Sequence, residues 1–389
     1  MMAALRVLHV GKFYPPAPGG MEKMVQLLCE GERASVDSRV LVANTSSRTV
    51  RETWRGVPVT RVASYGSIGS VGICPGFPLA LAAATRDVTV LHEPNPVALV
   101  SDCVTLGRGP LVVWFHSEVV RPQWKYALMY RPFLRRVLHR ANRIVVSSPR
   151  LAEYARELAD FRRKCVVIPF GLDTAHLAAT PAVASRVAEI DARYPGPRLL
   201  FVGRLVPYKG IDVLIDAMVN VQATCLIAGD GPLRGALEAR AAACGVAARV
   251  QFLGGLPDAD VVAQLHACDL FVLPSVTRQE TFGVVQLEAM ACGRAVVSTN
   301  LETGVPWVNQ HETTGLIVPP GDADALAQAL THLLGDAALR ARYGAAGRVR
   351  VASQFTVPAM TRATTALYEQ IAREAGSAVQ ARMDPFHES

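Results

Sequence analysis

Several features that define other protein classes are missing from this chain of 389 residues. No apolar run approaches the roughly 20 residues that cross a bilayer, because stretches such as 97–106 are interrupted by Ser101 and Asp102. The eight cysteines form no CxxC pair and have no histidine cluster at zinc spacing, so reduced, mostly buried thiols are expected. The N-terminal apolar stretch stops at Gly11 without a small-residue cleavage site, which predicts a first strand and not a signal peptide. A cytoplasmic protein is therefore expected.

Charged residues are also few, and their distribution is uneven. They make up 19% of the chain against 50% hydrophobic residues, which favours a globular protein, and the length suggests two domains. Residues 1–175 contain 23 Lys and Arg against 13 Asp and Glu, a net charge of +10, whereas the remainder carries −3. This asymmetry suggests an acidic partner for the N-terminal half: nucleic acid, anionic lipid or a phosphorylated substrate.

Short β-branched runs alternate with helical patterns along most of the chain. Because these runs are continuously apolar, they are typical of parallel strands buried on both faces, and their alternation with helices predicts a doubly wound α/β sheet. The pattern restarts after residue 195, so two Rossmann-like domains facing a cleft are predicted, 1–175 and 176–357, with a last helix at 358–375 that can pack back on the first. The predicted strands are 6–10, 40–42, 88–92, 111–115, 143–147 and 165–169, then 198–202, 223–228, 249–253, 270–273 and 295–298.

A glycine-containing loop, PPAPGG, follows the first predicted strand. Gly19 and Gly20 would let the backbone approach an anion, and the helix that begins near Met21 would present free N–H groups to phosphate. A plain strand-to-helix turn has the same composition. The loop alone therefore does not choose between the two interpretations.

A second candidate site is the segment GRLVPYKG, which follows strand 198–202. Arg204 and Lys209 would lie in a loop beyond a strand end, where two cations can stabilise the charge on a departing nucleotide diphosphate without a metal ion. The alternative is a pair of solvated loop cations. Gly203 opens this loop, and a further glycine turn, AGDGP with Gly229, follows the next strand.

Two glutamates eight positions apart form the third candidate. If a helix starts near Gly283, Glu280 precedes it and Glu288 lies within it, so Glu280 can hold sugar hydroxyls and Glu288 ribose hydroxyls. The backbone N–H groups of Phe282 to Val284 would cap an anion at the helix start. The alternative is two surface carboxylates.

Taken together, these spaced motifs closely resemble the retaining family-4 glycosyltransferases of the GT-B fold. The motifs GRLVPYKG, AGDGP, Glu280 to Glu288 and HETTGLIVPPGD occur in the family's order, and the resemblance covers residues 5–375. The glycine loop, the HEPNP segment at 92–96 and WFHSEVV, which contains His116, resemble members that build bacterial O-antigen or exopolysaccharide.

The resemblance implies transfer of a hexose from a nucleotide-diphosphate sugar with retention of configuration, by same-face attack without a carboxylate nucleophile, a cofactor or a metal. Double displacement through a covalent intermediate on Glu280 stays open as the alternative. LETGVPWVNQHETTG is similar to mannosyl-type transferases and favours GDP-mannose; UDP-hexose, UDP-N-acetylhexosamine and deoxysugar donors stay open. By resemblance the catalytic residues are His116 beside the sugar, Glu280 on the sugar, and Arg204 and Lys209 on the diphosphate, and the donor-binding residues are Gly19, Gly20, Gly203, Gly229, Phe282, Gly283, Val284 and Glu288.

The segment 121–143 suggests where the acceptor lies. It has seven basic residues and no acidic one, with aromatics interleaved, as expected of a segment that lies on an anionic membrane surface. Peripheral association with the inner face of the cytoplasmic membrane is predicted, where a polyprenyl-diphosphate-linked saccharide acceptor would be presented. The alternative is a solvated helix whose aromatics pack inward. The basic residues are Arg121, Lys125, Arg131, Arg135, Arg136, Arg140 and Arg143, and the aromatics are Trp124, Tyr126, Tyr130 and Phe133.

Two other functions remain open from the residues alone. A GT-B-like sugar-nucleotide epimerase shares the twin domains and the diphosphate site, and a non-catalytic carbohydrate-binding protein shares the fold. RNA-binding signatures are missing, so nucleic acid is not expected as a partner.

Overall fold

The structure, a computed structural model, describes residues 4–17, 19–68, 71–92, 95–105, 109–117 and 130–383. The chain divides into two compact units. Unit 1 consists of residues 1–147, 152–171 and 357–389, and unit 2 consists of 148–151 and 172–356. The short segment Ser148–Leu151 belongs to unit 2, an exchange that no sequence pattern indicates.

Unit 1 is built on an eight-stranded sheet in the order β10-β9-β8-β7-β1-β2-β4-β3. The order reverses between β1 and β7, which are parallel neighbours. Only β3, the edge strand, runs antiparallel to its neighbour among the described strands of this sheet. The strands are β1 Arg6–Val10, β2 Asp37–Ala43, β3 Val50–Trp54, β4 Val57–Val62, β7 Val88–His92, β8 Leu111–Phe115, β9 Arg143–Val146 and β10 Cys165–Val167, with β5 Ser67–Ile68 and β6 Val71–Gly72 paired apart from the sheet.

The predicted strands 6–10, 88–92 and 111–115 are confirmed to the residue. The hairpin of β3 and β4 was missed, because β3 is exposed at four of its five positions and has no apolar run. Edge strands of this kind bury little side-chain surface, so hydrophobic patterning gives little signal for them.

The helices of unit 1 include one at each end of its sequence that pack together. Helix α1 buries positions 24, 25, 26, 28, 29 and 32, and all of these but 26 have the spacing of one helical face. A Cβ on Gly31 would lie 2.5 Å from Thr361 Cγ2, so glycine permits the close approach of the last helix, α14. The α-helices before residue 172 are α1 Gly20–Glu32, α2 Phe77–Ala83, α3 Pro96–Val104, α4 Arg131–Arg140 and α5 Pro149–Tyr154. The last helix of the chain, α14 Val357–Met383, also belongs to unit 1.

Unit 2 is a fully parallel six-stranded sheet in the order β13-β12-β11-β14-β15-β16. Its first strand lies in the middle, so the order reverses between β11 and β14. The predicted strands 198–202 and 270–273 are confirmed, and the edge strand β16 was missed because two of its four residues are only partly buried. The strands are β11 Arg198–Val202, β12 Thr224–Ala228, β13 Val250–Gly254, β14 Leu270–Leu273, β15 Ala295–Thr299 and β16 Gly315–Val318.

A helix follows the predicted domain boundary between residues 175 and 176. Helix α6, Pro181–Arg193, begins after Thr180, whose hydroxyl accepts a hydrogen bond from the N–H of Val183 at 3.3 Å. It packs on α9 through an ion pair of Arg186 with Asp260. The remaining helices of unit 2 are α7 Ile211–Ala217, α8 Arg234–Ala243, α9 Asp258–Ala267, α10 Val284–Ala291, α11 Val305–Val308, α12 Ala323–Gly335 and α13 Ala337–Gln354.

Two doubly wound α/β units with parallel sheets are thus present, as predicted. Among the helices that the structure describes, none combines the length and the apolar character needed to span a membrane.

Candidate active site

The first cluster of candidate residues lies where the strand order of unit 2 reverses. In doubly wound sheets ligands bind outside the carboxyl ends of the strands at this point. Lys209 ends a 3-10 turn after β11, and Glu280 follows β14. Lys209 Nζ lies 2.6 Å from Glu280 Oε2, and each side chain is about nine-tenths buried. The two predicted residues therefore form one buried ion pair.

A hydrogen-bond chain fixes this ion pair to a third strand. Ser275 Oγ donates to Glu280 Oε2 at 3.0 Å, and the carbonyl oxygen of Ser275 accepts from Thr299 Oγ1 at 2.6 Å. Thr299 ends β15, so the ends of β11, β14 and β15 are tied together. An ammonium has three N–H donors, so Lys209 retains donors for a ligand while Glu280 holds it in place. From the sequence, Lys209 was predicted to bind the donor diphosphate and Glu280 the transferred sugar, but their contact with each other was not predicted.

The loop after β11 leaves its other cation exposed. The Arg204 side chain is exposed and forms no ion pair or hydrogen bond within the described residues. Gly203 precedes it, and its N–H donates to the carbonyl oxygen of Ala228 at 2.9 Å. Gly229 has a φ of 139°, and a Cβ there would overlap the carbonyl oxygen of Gly203. The two glycine turns therefore touch, and they form a backbone surface without side chains that a phosphate can approach.

Helix α10 begins at a glycine that the backbone requires. Gly283 lies in the left-handed region with φ 69°, and a Cβ there would lie 2.5 Å from Leu273 Cδ2. Val284 is the first helical residue, and the first N–H groups of a helix have no acceptor within it. The ring of Phe282 is buried against Phe355 at 6.0 Å between centroids, so a ligand can meet Phe282 only through its backbone.

Glu288 lies within α10 and is partly buried. Burial, together with the nearby carboxylate of Asp258, raises the pKa of Glu288 to about 7. At neutral pH its carboxyl group is therefore present in both protonation states. A protonated carboxyl group can donate as well as accept a hydrogen bond, which suits a pair of ribose hydroxyls.

In unit 1 the predicted His116 follows β8 and is 2% exposed. Its ring stacks on Trp114, with centroids 5.6 Å apart and planes 6° apart, and on Phe170 at 5.4 Å. Neither ring nitrogen has a hydrogen-bond partner among the residues that the structure describes. Burial lowers the pKa of His116 to about 3, so the imidazole is neutral. A buried polar group without a partner costs about 1–3 kcal/mol, so both nitrogens are candidates for ligand contact.

Three buried residues beside His116 were missed by the sequence analysis. His9 Nε2 lies 2.5 Å from Glu32 Oε1, and His9 Nδ1 lies 2.8 Å from His92 Nε2. His92 stacks on His116 with centroids 5.9 Å apart. Two features of the sequence indicate this group. His9 is a single histidine inside the apolar first strand, and Glu32 is a carboxylate on the buried face of α1.

The same group contains a set of potential metal ligands. Ligand atoms of His9, Cys29 and Glu32 all lie within 4.8 Å of one another. Two ligands of one tetrahedral zinc ion lie about 3.3 Å apart, given bonds of about 2.0–2.1 Å. The separation of 2.5 Å between His9 Nε2 and Glu32 Oε1 is that of a hydrogen bond instead. Burial also raises the pKa of the Cys29 thiol well above its usual range, which disfavours the thiolate that binds metals.

The glycine loop after β1 leads into α1, and Pro18 within it lies outside the described residues. Gly19 precedes the helix without a side-chain cap, and Gly20 is its first residue. A Cβ on Gly20 would meet nothing within 4 Å, so packing among the described residues does not require glycine there. The close approach of a ligand, as the sequence suggests for Gly20, is consistent with this space.

The basic segment 121–143 is only partly described, because residues 121–129 lie outside the described part. Helix α4 buries Leu134, Val137 and Leu138. The segment 121–143 has five described cations, and three of them form ion pairs. These pairs are Arg135 with Asp160 at 2.9 Å, Arg140 with Asp102 at 2.5 Å and Arg143 with Glu374 at 3.1 Å. Arg131 and Arg136 are exposed and form no ion pair within the described residues.

Comparison with known proteins identifies the family. The family model described as Glycosyltransferase Family 4 matches residues 18–176, and the one described as Glycosyl transferases group 1 matches residues 189–350. The D-rhamnosyltransferase WbpZ of Pseudomonas aeruginosa is 35% identical over 338 residues, which are 85% of this chain and 86% of that protein. The chain is a member of glycosyltransferase family 4.

Further similarities extend over most of this glycosyltransferase. The O-antigen chain mannosyltransferase C of Escherichia coli is 30% identical over 94% of this chain and 98% of its own. A GDP-mannose-dependent alpha-(1-6)-phosphatidylinositol monomannoside mannosyltransferase of Mycobacterium tuberculosis is 29% identical over 90% of this chain and 94% of its own. The predicted family, the resemblance to O-antigen mannosyltransferases and the enzyme class are thus confirmed, which sets aside the epimerase and the non-catalytic binding protein.

Solved structures show the same fold. Sucrose-phosphate synthase from Thermosynechococcus elongatus superimposes with a TM-score of 0.78 at 23% identity, covering 94% of this chain and 99% of that one. HepE of Anabaena in complex with UDP gives a TM-score of 0.74 at 19% identity, covering 94% and 100%. The predicted GT-B fold is confirmed.

Proposed function

We propose that this glycosyltransferase moves a hexose, with retention of configuration, from a nucleotide-diphosphate sugar to a lipid-linked oligosaccharide in O-antigen or exopolysaccharide synthesis. The observation that carries the donor half is the buried Lys209–Glu280 ion pair at the strand reversal of unit 2, beside two touching glycine turns. The names of the relatives support the rest: one acts in O-antigen chains, one depends on GDP-mannose, and HepE binds UDP. GDP-mannose is therefore the favoured donor.

In the proposed reaction the bond between the anomeric carbon and the diphosphate oxygen breaks, and the acceptor oxygen attacks the same face. The leaving diphosphate oxygen takes the acceptor proton, so no carboxylate nucleophile is needed. Arg204 and Lys209 stabilise the negative charge that develops on the diphosphate, together with the N-terminus of α10. Glu280 orients Lys209 and the transferred sugar. These cations provide the charge that a metal ion supplies in other enzymes, so the reaction is proposed to need neither metal nor cofactor.

His116 has a different proposed role, because its neutral imidazole is a poor base at neutral pH. Its two nitrogens, which have no hydrogen-bond partner in the described part of the chain, can instead donate to one sugar oxygen and accept from a hydroxyl. His116 is therefore proposed to orient a sugar and not to remove a proton.

The experiment that tests the proposal is a product assay with EDTA present. Purified protein is incubated with GDP-mannose, UDP-glucose or UDP-N-acetylglucosamine and a synthetic polyprenyl-diphosphate saccharide, and the product is analysed by mass spectrometry and NMR. An α-mannosylated product formed in EDTA is expected. Transfer only after a divalent cation is added, or a product of inverted configuration, would contradict the proposed mechanism.

We also propose a peripheral location at the inner face of the cytoplasmic membrane, supported by the exposed cations Arg131 and Arg136. Each cation near an anionic surface contributes about 1 kcal/mol, so these two would raise affinity roughly 30-fold. Flotation with anionic and neutral vesicles tests this, with a double change of Arg131 and Arg136 to Gln. Arg135→Gln, which removes a cation that Asp160 already neutralises, is the matched control. Equal flotation with both kinds of vesicle would refute the electrostatic attachment.

A further inference from the structure

One buried arginine of unit 2 has no acidic partner. Arg350 lies on α13 and is 9% exposed, and among the described residues no carboxylate forms an ion pair with it. Arg350 Nε donates to the carbonyl oxygen of Val308 at 3.1 Å, and Nη2 donates to that of Trp307 at 2.7 Å. Nη1 donates to Gln354 Oε1 at 3.1 Å. Because a buried cation is costly unless its N–H groups are hydrogen-bonded, these three acceptors hold the guanidinium in place.

The two carbonyl groups that Arg350 binds end helix α11, Val305–Val308. Four residues are too few to form a stable helix alone, and the last carbonyl groups of a helix have no donor within it. A cation at this end supplies the missing donors and interacts favourably with the helix dipole. The Arg350 guanidinium also lies over the rings of Trp307 and Phe355, 5.5 Å and 5.2 Å from their centroids. Arg350 therefore fixes the backbone of α11 and the side chain of Trp307.

The other end of α11 contacts the turn that precedes α10, residues 281–283. Gly304, which precedes α11, donates its N–H to the carbonyl oxygen of Thr281 at 2.7 Å. A Cβ on Gly304 would lie 2.8 Å from that oxygen and 2.9 Å from Phe282 Cδ2, so the two backbones pack without room for a side chain. The ring of Trp307 packs on that of Phe282 with centroids 6.3 Å apart. Helix α11 therefore holds the turn through one backbone hydrogen bond and one pair of rings.

The ring of Phe355 completes this group of contacts. Its centroid lies 5.4 Å from that of Trp307 and 6.0 Å from that of Phe282, and Phe355 directly follows α13, the helix that carries Arg350. Gln286 of α10 donates from Nε2 to the carbonyl oxygen of Phe282 at 2.7 Å. Loss of the Arg350 guanidinium would therefore loosen Phe282 from two sides, through Trp307 and through Phe355.

We propose that Arg350 is a positioning residue of the donor site, which holds α11 against the 281–283 turn and so fixes the direction of the backbone N–H groups at the start of α10. The first N–H groups of a helix have no acceptor within it, so their direction decides how well they meet a bound anion. Arg350 acts through α11 and not by contact with the donor. The inference rests on the proposed function for its ligand, a nucleotide-diphosphate sugar, whereas the contacts that it uses are those of the ligand-free protein.

A second arginine of α13 provides a matched control. Arg340 Nη1 donates to the carbonyl oxygens of Leu333 and Leu334, each at 2.7 Å, at the end of α12. Arg340 thus makes the same kind of contact from the same helix, and within the described residues it forms no hydrogen bond or ion pair with α11 or the 281–283 turn. Arg350→Met and Arg340→Met each remove a guanidinium and keep a long unbranched side chain. Both changes are expected to lower the melting temperature, because each leaves carbonyl groups without a donor.

The position of the turn is tested on the ligand-free, full-length protein by hydrogen–deuterium exchange with mass spectrometry. All proteins are measured at one temperature well below their melting temperatures. In Arg350→Met the peptides that contain residues 281–284 are expected to exchange at least about 5-fold faster than in the unmodified protein, and in Arg340→Met less than about 2-fold faster. An unchanged rate in Arg350→Met, or equal acceleration in both variants, would overturn the proposal.

Donor affinity separates positioning from stability. At a temperature where each variant is fully folded, a loss of stability alone leaves the dissociation constant of a ligand unchanged. Calorimetric titration of GDP-mannose in EDTA is expected to give a dissociation constant at least about 10-fold higher in Arg350→Met and less than about 3-fold higher in Arg340→Met. Equal constants for Arg350→Met and the unmodified protein would overturn the donor role of Arg350.

The two measurements distinguish a failure of this proposal from a failure of the proposed function. If the unmodified protein binds none of GDP-mannose, UDP-glucose and UDP-N-acetylglucosamine, the proposed function is contradicted, and the donor role of Arg350 with it. Unchanged exchange of the turn in Arg350→Met contradicts the positioning role whatever the protein binds.

A milder variant covers the case in which Arg350→Met does not fold. Arg350→Lys keeps the cation but has one compact ammonium in place of the planar fork, so it cannot bind both carbonyl groups and stack on two rings. We expect the exchange rate of the turn and the dissociation constant of GDP-mannose to rise in Arg350→Lys as well, each by about 2- to 3-fold. Unchanged values of both quantities in Arg350→Lys would overturn the proposal.

Discussion

The two units contain the same kind of sheet reversal but provide opposite electrostatic environments there. In unit 2 a lysine and a glutamate from the segments that follow β11 and β14 form an ion pair, which Ser275 connects to the end of β15. In unit 1 neutral imidazoles stack at the ends of β7 and β8, with nitrogens that have no hydrogen-bond partner within the described residues. The first arrangement stabilises negative charge, and the second suits uncharged hydroxyl groups. The same kind of sheet reversal can thus carry two different sites, because the residues that follow the strand ends differ.

Removing the lysine of unit 2 should have the largest effect. Lys209→Met leaves Glu280 buried without its partner, so we expect the free energy of unfolding to fall by about 3–5 kcal/mol, with transfer activity reduced by roughly three orders of magnitude. Urea unfolding and initial rates measure the two effects.

The double variant Lys209→Met with Glu280→Met is the control for this loss. Replacing both charges by apolar side chains should restore the unfolding free energy and leave transfer activity lost. Restored activity would show that the ion pair only stabilises the fold.

The corresponding change in unit 1 should act with the opposite sign on stability. His116→Phe keeps the aromatic stack and removes two buried nitrogens for which the described residues provide no hydrogen-bond partner. We expect the free energy of unfolding to rise by about 1–3 kcal/mol while kcat falls roughly 100-fold. A less stable His116→Phe variant would mean that the two nitrogens of His116 have hydrogen-bond partners in the ligand-free protein, so they are not available to bind a sugar.

A change at Arg204 should have a smaller effect than the changes at Lys209 and His116. Arg204 is an exposed cation of unit 2 and forms no ion pair among the described residues. Arg204→Ala should leave stability within about 0.5 kcal/mol and raise the KM for the donor roughly 10-fold. An unchanged KM would remove Arg204 from the donor site and leave Lys209 as the diphosphate contact.

The smallest expected effect is the pH dependence that Glu288 introduces. Its pKa is raised from 4.5 to about 7 in the folded protein, so between these values the folded state binds more protons than the unfolded state. Stability should therefore fall as pH rises from 4.5 to 7 and then level off, by about 1 kcal/mol for a partly exposed group. Glu288→Gln should flatten this part of the curve, as measured by urea unfolding at a series of pH values. An unchanged slope would show that Glu288 titrates normally.

The sequence was sufficient for the features that depend on neighbouring residues. Continuous apolar runs locate β1, β7, β8, β11 and β14, and the left-handed glycine before α10 is visible as Gly283 ahead of an apolar helix. Strand β3 was not predictable in this way, because its exposed side chains follow no buried pattern.

Contacts between distant residues were not predictable from local pattern. Lys209 and Glu280 are 71 positions apart, and His9 and His92 are 83 apart, so each pairing depends on the strand order. Glu32 was missed for a different reason: a glutamate is rarely fully buried, so its place on the inner face of α1 contradicts the usual expectation. Residues that break such expectations are frequent at functional sites.

Calorimetric titration of GDP-mannose in EDTA tests whether the Lys209–Glu280 pair holds a nucleotide-sugar diphosphate without a metal ion. It compares the unmodified protein with the double variant in which Lys209 and Glu280 are both Met, whose fold is expected to stay intact. We expect micromolar binding by the unmodified protein and an affinity at least about 100-fold weaker in the double variant. Equal affinity in both proteins, or binding that appears only when a divalent cation is added, would contradict this expectation.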